Sequence, residues 1–136
     1  MDKNYWNNFY KKTKNAPKRP SNFALNILTF LEPNKKILEL GCGNGRDSIF
    51  FYKKRLHVTA IDQAEKSINI LKGKYPNINF IIDDFVNSKY LKENEYDYIY
   101  SRFSLHAINK DEELVLLKKA YKSLKKRGNY LLKQEV

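Results

Sequence analysis

The sequence predicts an α/β domain in which a mostly parallel β-sheet carries helices on both faces. From Lys35 onward, short apolar segments typical of buried strands alternate with segments whose apolar residues recur at helical spacing. Parallel strands joined through helices require right-handed crossovers, so the chain is expected to wind along one sheet. We expect residues 35–136 to form this sheet domain and residues 1–34 to form a helical lid or cap over it.

The composition indicates one soluble domain. The chain has 136 residues, of which 42% are hydrophobic and 30% are charged, and a chain of this length can bury a single core. No apolar run approaches the roughly 20 residues that a membrane-spanning helix needs, and residues 1–12 lack the apolar centre of a signal peptide. We therefore expect a cytoplasmic location and no membrane partner. The single cysteine, Cys42, cannot close an internal disulfide, and no spacing of His and Cys indicates a metal site.

The chain is strongly basic, with 26 Lys and Arg against 15 Asp and Glu and a net charge of +11. An excess of this size can attract nucleic acid. Two of the basic clusters, residues 53–55 and 125–127, directly follow predicted helices, where cations stabilise the negative end of the helix dipole. A small molecule is therefore the leading partner, and nucleic acid is kept as an alternative.

The helices and strands are predicted in a regular order along the chain. Ser21 caps a first helix whose apolar residues extend to Leu31, and Pro33 ends it. Strands are then predicted at residues 37–40, 58–62, 78–82, 96–101 and 129–136, with helices at 46–54, 64–74 and 111–126.

A glycine-rich loop between the first strand and the next helix is the strongest functional signal. Its sequence is ELGCGNGRD, residues 39–47, so the glycines are spaced G-x-G-x-G. The dinucleotide-binding motif would place a third glycine where Arg46 stands, and the Gly-Lys-Ser/Thr of a phosphate-binding loop is absent. Glycine lets a ligand approach the backbone closely. Because both phosphate-binding patterns are absent, the loop predicts a ligand that needs no phosphate cradle.

Acidic residues end the two following strands. Asp62 comes about twenty residues after the loop, where a carboxylate can accept both hydroxyls of a ribose and would repel a 2′-phosphate. Asp83, Asp84 and Phe85 end the third strand, where a carboxylate can accept an adenine amine and the ring can cover the base. Ligands of such sheets bind beyond the carboxyl ends of the strands, at the point where the strand order reverses. The three strand ends together predict a site for an adenosine-containing ligand.

Residues 36–136 resemble the class I S-adenosylmethionine (AdoMet) dependent methyltransferases. The segments that carry the likeness are, in chain order, ILELGCGNGRD, VTAID, FIIDDF, YDYIYSRFSLHAI and KKRGNYLLKQEV. The resemblance implies a Rossmann-like, doubly wound sheet with strand order 3-2-1-4-5 and AdoMet as the cofactor. Family members continue beyond strand five, so we expect the C-terminal part of the fold to be missing. The fifth strand would then be an exposed edge through which two copies could pair as a homodimer.

The resemblance assigns one part of the cofactor to each strand end. The glycine loop would hold the methionine portion, the end of strand two the ribose, and the end of strand three the adenine, while the end of strand four would line the methionine side. The residues assigned to the methionine portion are Glu39, Gly41, Cys42, Gly43 and Gly45, and those assigned to the ribose are Asp62 and Gln63. The adenine is assigned to Asp84 and Phe85, and the methionine side at strand four to Ser101 and Arg102.

The expected reaction is methyl transfer to a small polar metabolite or sugar, through oxygen. His106 is the candidate general base, because it follows strand four and histidine titrates near neutral pH. The alternative is a structural role for His106. Two other functions stay open, an RNA or DNA methyltransferase and a non-catalytic AdoMet-binding fragment. Enzymes that methylate a base amine typically carry Asn/Asp-Pro-Pro-aromatic after strand four, where this chain has SRFS.

Overall fold

The computed structural model describes residues 19–84, 88–102 and 110–132, with side chains to residue 128. The predicted order of strands and helices is present. The helices are α1 Asn22–Ile27, extended by a 3-10 turn at Leu28–Phe30, α2 Arg46–Lys53, α3 Glu65–Lys74 and α4 Lys110–Ser123. The strands are β1 Lys36–Leu40, β2 His57–Asp62, β3 Asn79–Ile82, β4 Tyr96–Ser101 and β5 Leu124–Leu132.

The five strands form one parallel sheet in the order β3-β2-β1-β4-β5, which confirms the predicted order. The strand order reverses between β1 and β4. In the register of the sheet, Leu40 lies beside Ile61 on one side and beside Ser101 on the other. The carboxyl ends of these three strands are therefore level with one another at the switch point. Among the described strands β5 is an edge, and its pairing with a second copy stays a prediction.

Helices cover both faces of the sheet, as predicted for a doubly wound domain. Helices α1, α2 and α3 share one hydrophobic cluster with alternate residues of β1 to β4, and α4 packs on the opposite face with the intervening residues. Members of the first cluster include Ala24, Phe51, Ile68, Ile37 and Tyr100, and members of the second include Leu38, Ile61, Ile99, Leu116 and Ala120.

Helix α1 is fastened to the sheet at both ends. The Ser21 hydroxyl accepts a hydrogen bond from the Ala24 N–H at 3.1 Å, which confirms the predicted N-cap. Past the helix, the Tyr98 hydroxyl accepts from the Glu32 N–H at 3.0 Å and donates to the Phe30 carbonyl at 3.4 Å. Strand β4 therefore contributes directly to where α1 lies.

Helix α4 ends and β5 begins earlier than predicted. The helix stops at Ser123 and not at residue 126, and the strand starts at Leu124 and not at residue 129. The reason is tertiary: the Ser123 carbonyl accepts a hydrogen bond from the Glu95 N–H at 2.8 Å, which draws the chain into the sheet. Lys125, predicted to stabilise a helix end, lies in the strand, where its ammonium is 3.4 Å from the Asp97 carboxylate.

Candidate functional site

The glycine-rich loop is held against the end of β2. The N–H groups of Gly41 and Cys42 donate to the Ile61 carbonyl at 2.8 and 3.1 Å. The Gly43 N–H donates to Oδ2 of Asp62 at 2.8 Å. The loop after β1 and the acidic residue after β2 are thus in direct contact, as expected for two strand ends that share one edge of the sheet.

Asp62 keeps unused acceptor capacity although it is buried. Its second oxygen, Oδ1, accepts from the Ala64 N–H at 2.9 Å, and the residue is 5% exposed. Burial raises the pKa of Asp62, while the hydrogen bonds from the backbone of Ala64 and Gly43 act in the opposite direction. An ionised carboxylate offers about four lone-pair sites, and the backbone of Ala64, Gly43 and Gln63 bonds to this one, so about one site remains for a donor such as a ribose hydroxyl. The neighbouring Gln63 is also buried.

The loop backbone has the conformation that its glycine spacing predicts. Gly41, Gly43 and Gly45 have φ angles of 76°, 58° and 78°, all in the left-handed region. The Gly43 carbonyl accepts from the Ser67 hydroxyl at 2.9 Å, which ties the loop to α3. Burial raises the pKa of the Cys42 thiol, so this cysteine stays protonated and is not an activated nucleophile.

Replacing Gly45 with alanine is expected to destabilise the fold by roughly 1–2 kcal/mol, because a residue with a Cβ strains the left-handed backbone. The new Cβ would also lie 2.9 Å from Cδ1 of Leu71. Gly73→Ala is the matched control, since Gly73 lies in α3 and an alanine Cβ there would have nothing within 4 Å. That change should leave stability equal or raise it by up to about 1 kcal/mol. Equal denaturation midpoints for the two variants would contradict the assigned loop conformation.

Glu39 is a buried carboxyl beside the loop. It is 3% exposed and hydrogen-bonded to the Ser48 hydroxyl. Burial, followed by the negative charge of Asp47, raises the pKa of Glu39 well above its ordinary value, and the Ser48 bond and the Arg102 charge oppose this only in part. A cationic ligand placed next to Glu39 would favour its ionised form.

Asp47 is a third buried carboxyl, and the strand-end pattern does not predict it as a site residue. It is 2% exposed and lies in the first turn of α2. The Ser21 N–H and hydroxyl donate to it at 2.7 and 2.8 Å, the Tyr100 hydroxyl donates at 2.6 Å, and Nη1 of Arg102 is 3.7 Å away. The one sequence signal for this group is an acidic residue directly after the loop, where it also suits the helix dipole.

The ends of β3 and β4 complete the described part of the site. Ser101 is fully buried, and its hydroxyl donates to the Leu40 carbonyl at 3.4 Å. The Asp83 N–H donates to the Asp62 carbonyl at 3.0 Å, and the N–H of the half-buried Asp84 donates to the Asp83 side chain at 2.8 Å. Phe85 and His106 lie outside the described residues, so the apolar wall and the general base stay predictions.

The charges around the loop favour a cationic ligand over a phosphate. Glu39 and Asp62 are both buried beside the loop, and Arg46 is the one basic residue in residues 39–47. This set fits AdoMet, which carries a sulfonium, an ammonium and two ribose hydroxyls. The described residues contain no group of three or more His, Cys, Asp and Glu that could hold a metal ion, and none of their helices is both long and apolar enough to span a bilayer.

Comparison with known sequences finds methyltransferases and a carboxy-S-adenosyl-L-methionine synthase. A family model described as a methyltransferase domain matches residues 37–128. The phosphoethanolamine N-methyltransferase of Plasmodium falciparum is 30% identical over 105 residues, which cover 75% of this chain and 40% of that protein. The carboxy-S-adenosyl-L-methionine synthase of Nautilia profundicola is 31% identical over 123 residues, covering 85% of this chain and 51% of that protein. The chain thus spans about half or less of the length of these relatives.

Comparison with solved structures finds the same fold. A TehB-like SAM-dependent methyltransferase from Corynebacterium glutamicum has a TM-score of 0.79 at 21% identity, over 95% of this chain and 72% of that one. Phosphoethanolamine N-methyltransferase 1 of Haemonchus contortus, solved with phosphoethanolamine and S-adenosylhomocysteine, has a TM-score of 0.72 at 19% identity, over 94% of this chain and 31% of that one. Identities this low show the fold alone. Because the family model covers most of the sheet domain, the chain belongs to the class I AdoMet-dependent methyltransferase family.

Proposed function

We propose that this chain binds AdoMet at the carboxyl edge of its sheet and transfers the methyl group to a small polar acceptor. The observation that carries the proposal is the 2.8 Å hydrogen bond from the Gly43 N–H to Asp62, which joins the loop and the acidic residue into one pocket wall. The relatives named phosphoethanolamine N-methyltransferase support an acceptor that is small and polar.

Each described strand end has a role in this proposal. The remaining acceptor capacity of Asp62 would serve the ribose, next to Gln63, and Glu39 would face the ammonium of the methionine portion. Arg102 would line the methionine side, where a guanidinium can bind a carboxylate. Asp84 would accept the adenine amine, with Phe85 as the predicted wall. Burial of Glu39 and Asp62 strengthens their interaction with a cation, because water screens them little.

Methyl transfer from AdoMet requires mainly that the protein orient the acceptor. Bound AdoMet supplies an activated sulfonium methyl group. The chain's own residues have to hold the acceptor in line with the bond that breaks and to exclude water, and orientation of this kind can supply several of the roughly 7–11 kcal/mol available to well-placed reactants. His106 would take the proton that the acceptor atom loses, onto a ring nitrogen.

Replacing His106 with alanine should lower the turnover number by roughly tenfold while the affinity for S-adenosylhomocysteine (AdoHcy) stays unchanged. The effect is smaller than the 10²–10⁴ common for general bases, because the methyl group is already activated. The control is His57→Ala, which changes the exposed first residue of β2 at the opposite end of the sheet. Equal turnover numbers for both variants and the wild type would remove His106 from the mechanism.

The function itself is tested by binding and by transfer. Calorimetric titration with AdoHcy should show one site, and labelled AdoMet should pass its methyl group to an acceptor in a panel of phosphoethanolamine, sugars and other polar hydroxyl compounds. The oxygen acceptor predicted from the sequence is supported if the hydroxyl compounds react and phosphoethanolamine does not. Binding without any transfer favours the non-catalytic alternative. RNA binding that persists at physiological salt favours the nucleic-acid alternative.

A further inference from the structure

Asp47 connects the segment that carries α1 to the helix that begins at the glycine loop. Both donors of Ser21, its N–H and its hydroxyl, bind the same carboxylate. Tyr100 contributes from β4, with its hydroxyl 3.2 Å from the Ser21 hydroxyl and its ring stacked on Phe23 at 5.5 Å. Burial and the charge of Asp47 raise the pKa of Tyr100, so its hydroxyl stays protonated and donates. The start of the α1 segment is therefore held by one buried carboxylate.

The other side of Asp47 is the loop. Asp47 lies two residues after Gly45, the N-cap residue of α2. Ser48, the next residue, is hydrogen-bonded to Glu39 at the end of β1, and the loop itself is bonded to Asp62. The first turn of α2 is thus bonded to the proposed cofactor-binding residues and, through Asp47, to Ser21. The turn that contacts the loop is therefore the same turn that holds the α1 segment.

We propose that Asp47 is a positioning residue that couples occupancy of the cofactor site to the docking of residues 19–31 through Ser21. The inference rests on the proposed binding of AdoMet and adds a residue that does not touch the cofactor. By thermodynamic linkage, if ligand in the loop tightens the contact between Ser21 and Asp47, then that contact must tighten ligand binding by the same factor.

The test compares two variants that each remove one hydroxyl at one end of the same segment. Ser21→Ala removes the hydroxyl that donates to Asp47 and caps α1 but keeps the backbone N–H donor, and Tyr98→Phe removes the hydroxyl that binds Glu32 and Phe30. Both should lower stability, so AdoHcy affinity is measured by calorimetry at a temperature where each variant is fully folded by circular dichroism. We expect Ser21→Ala to weaken binding by roughly tenfold, within the 5–150-fold range of coupled sites, and Tyr98→Phe to change it less than about twofold.

Two further readouts separate coupling from a general loss of structure. Hydrogen exchange of the amides of residues 22–31 should slow on adding AdoHcy to the wild type and to Tyr98→Phe, but not to Ser21→Ala. Asp47→Asn should also weaken binding by roughly tenfold. Adding Ser21→Ala to this variant should lower AdoHcy affinity almost no further, because both changes disrupt the same contact between Ser21 and Asp47.

The possible results separate failure of the coupling from failure of the proposed function. Wild-type binding with equal affinities for Ser21→Ala and Tyr98→Phe overturns the inference alone. Additive losses in the double variant do the same, since they mean that the two residues act separately. Absence of AdoHcy binding by the wild type overturns the proposed function and, with it, the coupling.

Discussion

Replacing Asp62 with alanine is expected to weaken AdoHcy binding by roughly 10- to 150-fold. Hydrogen bonds to a charged group contribute about 1.5–3 kcal/mol, and each 1.4 kcal/mol is a factor of ten in affinity. The substitution removes the acceptor proposed for the ribose and also the partner of the Gly43 N–H, so the loop loses its tie to β2. Calorimetric titration of the folded variant measures the effect.

The control for Asp62→Ala is a carboxylate at the opposite end of the sheet. Asp97 accepts from the Lys36 N–H at 2.9 Å and lies near the start of β4, away from the strand ends that form the site. Asp97→Ala should reduce stability while AdoHcy affinity changes less than about twofold. If both variants lose affinity to the same degree, the loss reflects the fold and not a ribose contact.

Glu39→Gln is expected to stabilise the ligand-free protein and to weaken ligand binding at the same time. Because burial raises the pKa of Glu39 in the folded state, the native protein holds a proton that the unfolded chain releases at the ordinary carboxyl pKa. Stability contributed by this group is therefore lost as pH rises from that ordinary value through the raised one. Glutamine keeps an acceptor for the Ser48 hydroxyl and carries no charge, so this loss should disappear.

The size of both effects can be measured on one pair of variants. At a pH above the raised pKa we expect Glu39→Gln to unfold at a higher Tm than the wild type and to bind AdoHcy roughly 10- to 150-fold more weakly through loss of the charge facing the ammonium. Glu95→Gln is the control, since this exposed carboxylate pairs with Lys36 at 2.6 Å far from the loop. It should neither gain stability nor lose affinity. A wild-type stability that does not fall with pH across this range would rule out the buried, protonated Glu39.

Local patterns in the sequence were sufficient to predict the strands, the loop and its nearest acidic partner. Apolar runs identify β1 to β4, and the G-x-G-x-G spacing matches three residues that have positive φ angles. The junction of α4 and β5 could not be predicted, because it depends on a hydrogen bond from Glu95 to Ser123, residues that are distant along the chain. The contacts of Asp47 could not be predicted for the same reason, because its partners Ser21 and Tyr100 lie 26 and 53 residues away along the chain. Sequence patterns reflect residues that are close along the chain, whereas these contacts join residues from different helices and strands.

Strand β4 also fixes the positions of both ends of the segment that carries α1. Tyr98 and Tyr100 stand on the same face, one strand repeat or roughly 7 Å apart, and their hydroxyls meet opposite ends of the α1 segment. Inserting or deleting one residue in β4 ahead of Tyr98, with the start of the strand held in register, would turn both rings to the other face and release both ends at once. The spacing of this pair is therefore less tolerant of length changes than the exposed turn that precedes β4, even though neither tyrosine belongs to the proposed chemistry.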